Sequence, residues 1–438
     1  MSDRTPSNSR LHWLAAATVV AMFPLICLGG LTTSHKAGMS VPDWPNSYGY
    51  NMFLFPPSQW VGGILYEHTH RLMGTVVGFL AVLQVLSAWG PAATARGRKV
   101  VAIGGVLTAA FALMLGLVLV VFYAARVVHE PAVKARTIQA LVGAVGLLLV
   151  FGAAWFCRRP EPSRRVRWLS VAVLLGVIVQ GTIGGLRVVL VDLDLAIVHG
   201  CVAQAVFCLA GLMALVTSPH WATLPDLRHV ARPPLLRWSV ATVVVVYAQL
   251  IVGATMRHND AGLAIPDLPL SYGRLIPPTD EGSLEAANLE RARSGSPDLK
   301  PVTLDQVWLH AGHRAGAVLV TVVATVTIVT AFRRRREAPF AVPRATLLAA
   351  LLVAQVTLGV LTVLLHKPAD VASAHVAVGA LVLLTSFVLA ARCVRAYRLG
   401  PARSGAATKP AAGVSATGRP PVDRQNDPSV ALTPARLM

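Results

Sequence analysis

The stretch AGMSVPDWPNSYG, residues 37–49, returns as AGLAIPDLPLSYG at residues 261–273. Alanine, glycine, both prolines, aspartate, serine, tyrosine and the final glycine recur in register without a gap. A self-match of this kind marks an internal repeat, and it decides how the rest of the chain is read. Working outward, HRLMG at 70–74 is echoed by HRAGA at 313–317. QGTIGGLRVVL at 180–190 is echoed by QVTLGVLTVLL at 355–365, and IVHGCVAQA at 197–205 by SAHVAVGAL at 373–381. Four matches in one order make the chain two copies of one unit.

Composition says what that unit is built from. The 438 residues are 55% hydrophobic and 13% charged, with mean hydropathy +0.60. A soluble domain carries about 25% charged residues. Apolar runs of about 20 residues recur, which is the length that crosses a bilayer. They predict ten spans, at about 12–33, 63–89, 100–124, 137–157, 167–190, 195–217, 236–256, 306–332, 344–366 and 372–395. The net charge of +19 lies in short clusters after alternate spans, from Arg96, Arg98 and Lys99 to Arg392, Arg395 and Arg398. That distribution follows the positive-inside rule and puts both termini in the cytoplasm. It excludes a nucleic-acid binder, which would carry a basic face on a soluble module.

The fold class is therefore an all-α polytopic membrane protein. It consists of two pseudo-symmetric four-helix bundles in parallel-repeat topology, plus a helix pair inserted at about 100–157. The expected organisation is a cytoplasmic N-terminus 1–11, an N-terminal repeat 12–217, a cytoplasmic linker 218–235, a C-terminal repeat 236–395 and a disordered cytoplasmic tail 396–438. The first span lacks a small-residue cleavage site before its polar end, so it reads as a retained helix. Cys27, Cys157, Cys201, Cys208 and Cys393 form no CxxC pair and lie in or beside apolar runs, as small buried residues do.

Four histidines fall at repeat-related positions: His70 and His199 in the first half, His313 and His375 in the second. Each lies near the start of a helix entering from the outer side. A lone membrane histidine is commonly a hydrogen-bonding core residue, but polar groups at this depth are costly and matched pairs favour ligation. A zinc site usually gathers three or four protein ligands. One histidine from each of two facing helices, in an apolar bundle with glycines close by, suits a haem iron instead.

The halves differ at one telling place. EHTHR at 67–71 aligns with HAGHR at 310–314, so Glu67 stands opposite His310. Glu67 lies three residues before His70 and shares its helix face. A carboxylate beside such a site is a candidate for acid–base chemistry. The plainer reading, a pair with Arg71, stays open. Arg71 and Arg314 are candidate contacts for haem propionates, although snorkelling accounts for them as well. His68 and His310 are spare, and His35, His258 and His366 lie nearer the outer loops.

The glycine-threonine end of the first helix (Gly29, Gly30, Thr32), then AGMSVPDWP, EHTHRLMG, QGTIGGL and His199 resemble the haem A synthase family, from about Gly29 to Gly379. The resemblance implies an eight-helix core and oxidation of the C8 methyl group of haem O to the formyl group of haem A for cytochrome oxidase. It implies that Glu67 matches the family's essential acidic residue. His70 and His199 then match the substrate-haem pair, and His313 and His375 the pair holding a haem b cofactor. It also implies a bacterial inner membrane location, and the haem O-forming farnesyltransferase and cytochrome oxidase assembly proteins as partners beside membrane lipid. Homo-oligomerisation stays open. Two features depart from the pattern: no cysteine pair lies in the outer loops, and the inserted spans are atypical. The rivals are a non-catalytic di-haem membrane cytochrome, a haem-handling assembly factor and a transporter. Glu67 separates the enzyme from the first two, and the lack of broken-helix signals speaks against the third.

Overall fold

Lipid offers no partner to a backbone N–H or C=O, so an apolar run there folds on itself as helix. The computed structural model describes residues 9–89, 164–296 and 298–399. Its long helices are α1 (Ser9–Ser34), α2 (Gly63–Trp89), α3 (Arg164–Leu190), α4 (Leu193–Thr217) and α5 (Pro234–His258). After a shorter α6 (Glu281–Arg293) come α7 (Leu304–Arg333), α8 (Val342–Leu364) and α9 (Ala369–Val394). Among the described residues, eight helices are long and apolar enough to cross a membrane, which makes this an integral membrane protein. The spans expected at about 100–124 and 137–157 lie outside the described residues, as do residues 400–438 of the expected tail; its first residues, 396–399, are helical, with Ala396 and Tyr397 buried.

The helices gather in two rings. In the first, α1 packs on α2 and α4, and α3 closes the ring between α2 and α4. In the second, α5 packs on α7 and α9, and α8 closes the ring between α7 and α9. The rings meet where α9 touches α1 and α4 and where α4 touches α5. This explains why α9 and α4 are the most enclosed spans, with 50% and 39% of their most apolar windows buried against protein, while the others keep broad outward faces.

Each ring carries one polar pair deep in its apolar packing. The Gln84 amide of α2 donates to the Thr18 hydroxyl of α1. Thr327 of α7 and Thr242 of α5 share a hydrogen bond of 2.7 Å. Around the first pair lie Ala15, Met22, Val77 and Ala81, and around the second Val246, Val320 and Ala324. Such bonds align two helices without opening the core.

Three α-helix starts among the described residues are capped by side chains. Asp192 accepts the N–H of Asp194 and Leu195 at the head of α4, and Thr303 with Gln306 forms a capping box at the head of α7. Helix α6 was not legible in the sequence. A second capping box, from Asp280 and Ser283, starts it, and it lies in the long segment between α5 and α7.

Candidate functional site

The two outer loops that carry the repeat have one hydrogen-bond pattern. Asp43 accepts the N–H of Tyr48 and Gly49 at 2.7 Å each, and Asp267 accepts those of Tyr272 and Gly273 at 2.8 and 2.9 Å. Tyr48 and Tyr272 take left-handed backbone, with φ of 51° and 53°, and the glycine after each does too. Each aspartate thus grips the turn five and six residues on, which holds the tyrosine in that conformation. The Tyr48 hydroxyl donates to Ser40 O and the Tyr272 hydroxyl to Ala264 O, closing each loop across itself. Both loops also contain a cis proline, Pro45 and Pro269.

An arginine from the neighbouring helix holds each loop from below. Arg71 donates to the carbonyls of Val41 (2.8 Å), Asp43 (2.6 Å) and Asn46 (3.0 Å). Arg314 donates to the equivalent carbonyls of Ile265 (2.8 Å), Asp267 (2.8 Å) and Leu270 (3.0 Å). The NH1 and NH2 groups of the two arginines, expected as candidates for propionates, are thus turned to loop backbone. Only a planar fork with several donors satisfies three carbonyls at once.

Glu67 completes the first latch. Its Oε2 accepts the N–H of Val41 at 2.9 Å and its Oε1 pairs with Arg71 at 2.7 Å. Among the described residues it is the only buried carboxylate. His310 does the corresponding work in the second half: Nδ1 accepts the N–H of Ile265 at 3.1 Å and Nε2 lies 3.3 Å from Nε of Arg314. The pairing of Glu67 with Arg71 is therefore present, and the carboxylate is also built into the loop's anchorage.

The loops are covered differently. In the first half, Ser47 Oγ lies 3.1 Å from Nδ1 of His68, whose ring packs against Phe55 and Trp60. His68 thus gains a place in the loop's packing, while His35 stacks on Tyr66. In the second half, Arg291 of α6 is buried and donates to Leu263 O (2.8 Å) and Lys300 O (2.7 Å). Burial pushes the Tyr272 phenol above its ordinary value, and the adjacent Arg291 opposes that rise.

Beneath the loops lie the histidine pairs. His70 of α2 and His199 of α4 come together: their ring centres are 6.4 Å apart and the planes cross at 80°. A metal–imidazole bond is about 2 Å and the ring centre lies about 1 Å beyond the nitrogen, so two imidazoles trans across one iron have centres about 6 Å apart. His70 and His199 are the residues of the first ring that would hold a haem iron. His313 of α7 and His375 of α9 are half-buried on the second ring. Among the described residues no three His, Cys, Asp or Glu converge on one point. Cys27, Cys201, Cys208 and Cys393 are free thiols, and Cys157 lies outside the described residues.

Sequence reasoning passed over Arg187, which donates from NH2 to Gly38 O at 3.1 Å and ties α3 to the first loop. It is the lone charge in the apolar run 168–190, and that isolation was the available signal. It also passed over Arg257, which donates to Gly30 O (2.6 Å) and Ser34 Oγ (2.5 Å) across the junction of the rings.

A helical membrane protein with paired histidines beneath two latched loops is the class that fold and site define. The family model described as cytochrome oxidase assembly protein matches residues 139–388, more than half of the chain, and the chain belongs to that family. Relatives named heme A synthase are similar over much of their length. The Shewanella oneidensis protein is 23% identical over 382 residues, covering 86% of this chain and 94% of the relative. That of Caulobacter sp. strain K31 is 30% identical over 259 residues, 57% and 70% respectively. That of Methylobacterium radiotolerans is 27% identical over 396 residues, 88% and 90%.

Proposed function

We propose that this protein is a haem A synthase that oxidises the C8 methyl group of haem O, through the alcohol, to the formyl group of haem A. It is an oxidoreductase of haem A biosynthesis. The observation that carries the site assignment is the 6.4 Å spacing of the His70 and His199 rings, with Glu67 one turn before His70 on the same helix. In this reading His70 and His199 receive the iron of the substrate haem.

The protein's own groups then have separate tasks. The loop 37–49, held by Arg71 and Glu67, caps the site and keeps water from the reacting carbon. Glu67 offers a buried carboxylate for the proton that leaves when the methyl group is oxidised, and Arg71 holds that carboxylate in place. A propionate contact by Arg71 or Arg314 would share nitrogens already bonded to loop carbonyls. His313 and His375 would hold a haem b, which supplies one-electron chemistry when bound.

The same reading places the chain in a bacterial inner membrane with both termini in the cytoplasm, supported by the arginine clusters at 158–167 and 333–336. It makes the haem O-forming farnesyltransferase and other cytochrome oxidase assembly proteins the candidate partners. The test is expression with a haem O source followed by analysis of extracted haems. Haem A is the expected product. Haem O alone, with haem b still bound, would replace the enzyme with a di-haem electron carrier.

A further inference from the structure

All four candidate ligand imidazoles press on a glycine of an adjacent helix. A Cβ added at Gly29 would stand 3.1 Å from Cε1 of His70, and one at Gly184 2.9 Å from that of His199. At Gly253 it would stand 3.0 Å from Cε1 of His313, and at Gly359 3.1 Å from that of His375. A methyl group at those distances is inside normal contact, so the ring or the helix would have to move.

One turn before each glycine, on the same helix face, a second group meets the same histidine. Gln180, with its NH2 turned to His199, donates to Nδ1 (3.0 Å) and to the carbonyl (3.1 Å), and accepts from the Ala203 N–H (2.9 Å). Gln249 places Nε2 3.0 Å from Nδ1 of His313 and donates to its carbonyl at 2.8 Å. Gln355 places Nε2 3.4 Å from Nε2 of His375. The fourth position is Leu25, and there the main-chain carbonyl meets Nδ1 of His70 at 3.1 Å. In sequence the elements are QGTIG at 180–184, QLIVG at 249–253, QVTLG at 355–359 and LICLG at 25–29.

We infer that this glutamine-to-glycine element positions three of the haem-ligand histidines, and that its leucine form at Leu25 sets His70 apart from the others. The inference rests on the ligand roles proposed above. The glycine lets the imidazole edge lie against helix backbone, which fixes the ring plane. The glutamine of α3 and that of α5 bond the ring and the histidine's own carbonyl together, which couples the ring to the register of its helix. As placed, the amide NH2 of Gln180 and of Gln249 faces Nδ1, which then accepts and leaves the ring hydrogen on Nε2; an amide turned to present its oxygen would free Nε2 instead, so a glutamine permits either tautomer. A carbonyl only accepts. It holds the hydrogen of His70 on Nδ1 and leaves Nε2 as the lone-pair nitrogen, the form that ligates metal. Such outer partners tune ligand orientation and basicity.

The test compares Gly253→Ala, Gln249→Leu, Leu25→Gln and His313→Ala in the full-length protein purified with its bound haem. The readouts are the visible spectrum, the g-values of the oxidised low-spin haem, and the rate of haem loss to a soluble apo-haemoprotein. Gly253→Ala and Gln249→Leu should release the second-half haem about 10–100-fold faster and shift its g-values, as loss of an outer partner does. Leu25→Gln should shift only the signal that depends on His70. Gln249→Leu installs the residue already present at Leu25, so it reports even where Gly253→Ala does not fold. Wild-type release rates and g-values in Gln249→Leu, with the signal lost in His313→Ala, would overturn the inference alone. An unchanged spectrum in His313→Ala would instead overturn the ligand reading beneath it.

Discussion

Glu67 of α2 and His310 of α7 accept equivalent backbone N–H groups, that of Val41 at 2.9 Å and that of Ile265 at 3.1 Å. One structural task is met by a carboxylate in one half and by an imidazole in the other. The shared task separates anchoring from chemistry, because a side chain that serves the first need not serve the second.

Glu67→His therefore divides the two roles. It should keep the loop latched, as His310 does, and should abolish haem A formation in extracted haems. Glu67→Ala should also release the loop, at a cost of about 1–3 kcal/mol, because it leaves the Val41 N–H without its acceptor. Hydrogen exchange at the Val41 amide reads the latch. Normal haem A yield from Glu67→His would remove the carboxylate from the chemistry and leave it as an anchor.

Arg71→Lys and Arg314→Lys should each loosen one loop and spare the other. An ammonium cannot reach three carbonyls in the plane that the guanidinium spans. Each unmet carbonyl costs about 1–3 kcal/mol. Limited proteolysis of 37–49 against 261–273 is the measurement, and equal cleavage of both loops in either variant would contradict the assignment.

His313→Ala should lose one low-spin haem signal while keeping the substrate site, and His70→Ala should do the reverse. Difference spectra of protein purified with and without a haem O source separate them. A signal that survives both substitutions would mean ligands other than these pairs.

Thr327→Val removes the bond to Thr242 without changing side-chain shape. Interhelical bonds within a membrane contribute about 0.6 kcal/mol on average, up to about 1.7. The expected loss is of that size, read by unfolding in mixed micelles, with haem content unchanged. A loss of bound haem would show that the pair also sets the position of α7.

Much of the molecule follows from the order of its residues. Apolar runs of membrane length can only become helices in lipid, so most spans were legible to within a few residues of their observed ends. The identity of the two loops was legible because the same aspartate, tyrosine and glycine build the same turn. The histidine positions and the exchange of Glu67 for His310 were legible from alignment. Helix α6 was not, because EGSLEAANLERAR has little apolar periodicity and forms by capping and by the burial of Leu284, Ala287 and Arg291.

The tertiary structure decided what those residues touch. Glu67 meets a backbone N–H 26 positions away, and His310 meets one 45 positions away. Every residue carries such an N–H, so no side chain in the sequence marks the partner. For the same reason Arg71 and Arg314 read as charges at an interface and became clasps on loop carbonyls. Gly29, Gln180, Gly184, Gln355 and Gly359 were legible as motif or repeat positions, but only folding showed that they, with Gln249 and Gly253, meet imidazoles. Side-chain chemistry is written along the chain, whereas a backbone partner is chosen only when the fold brings it near.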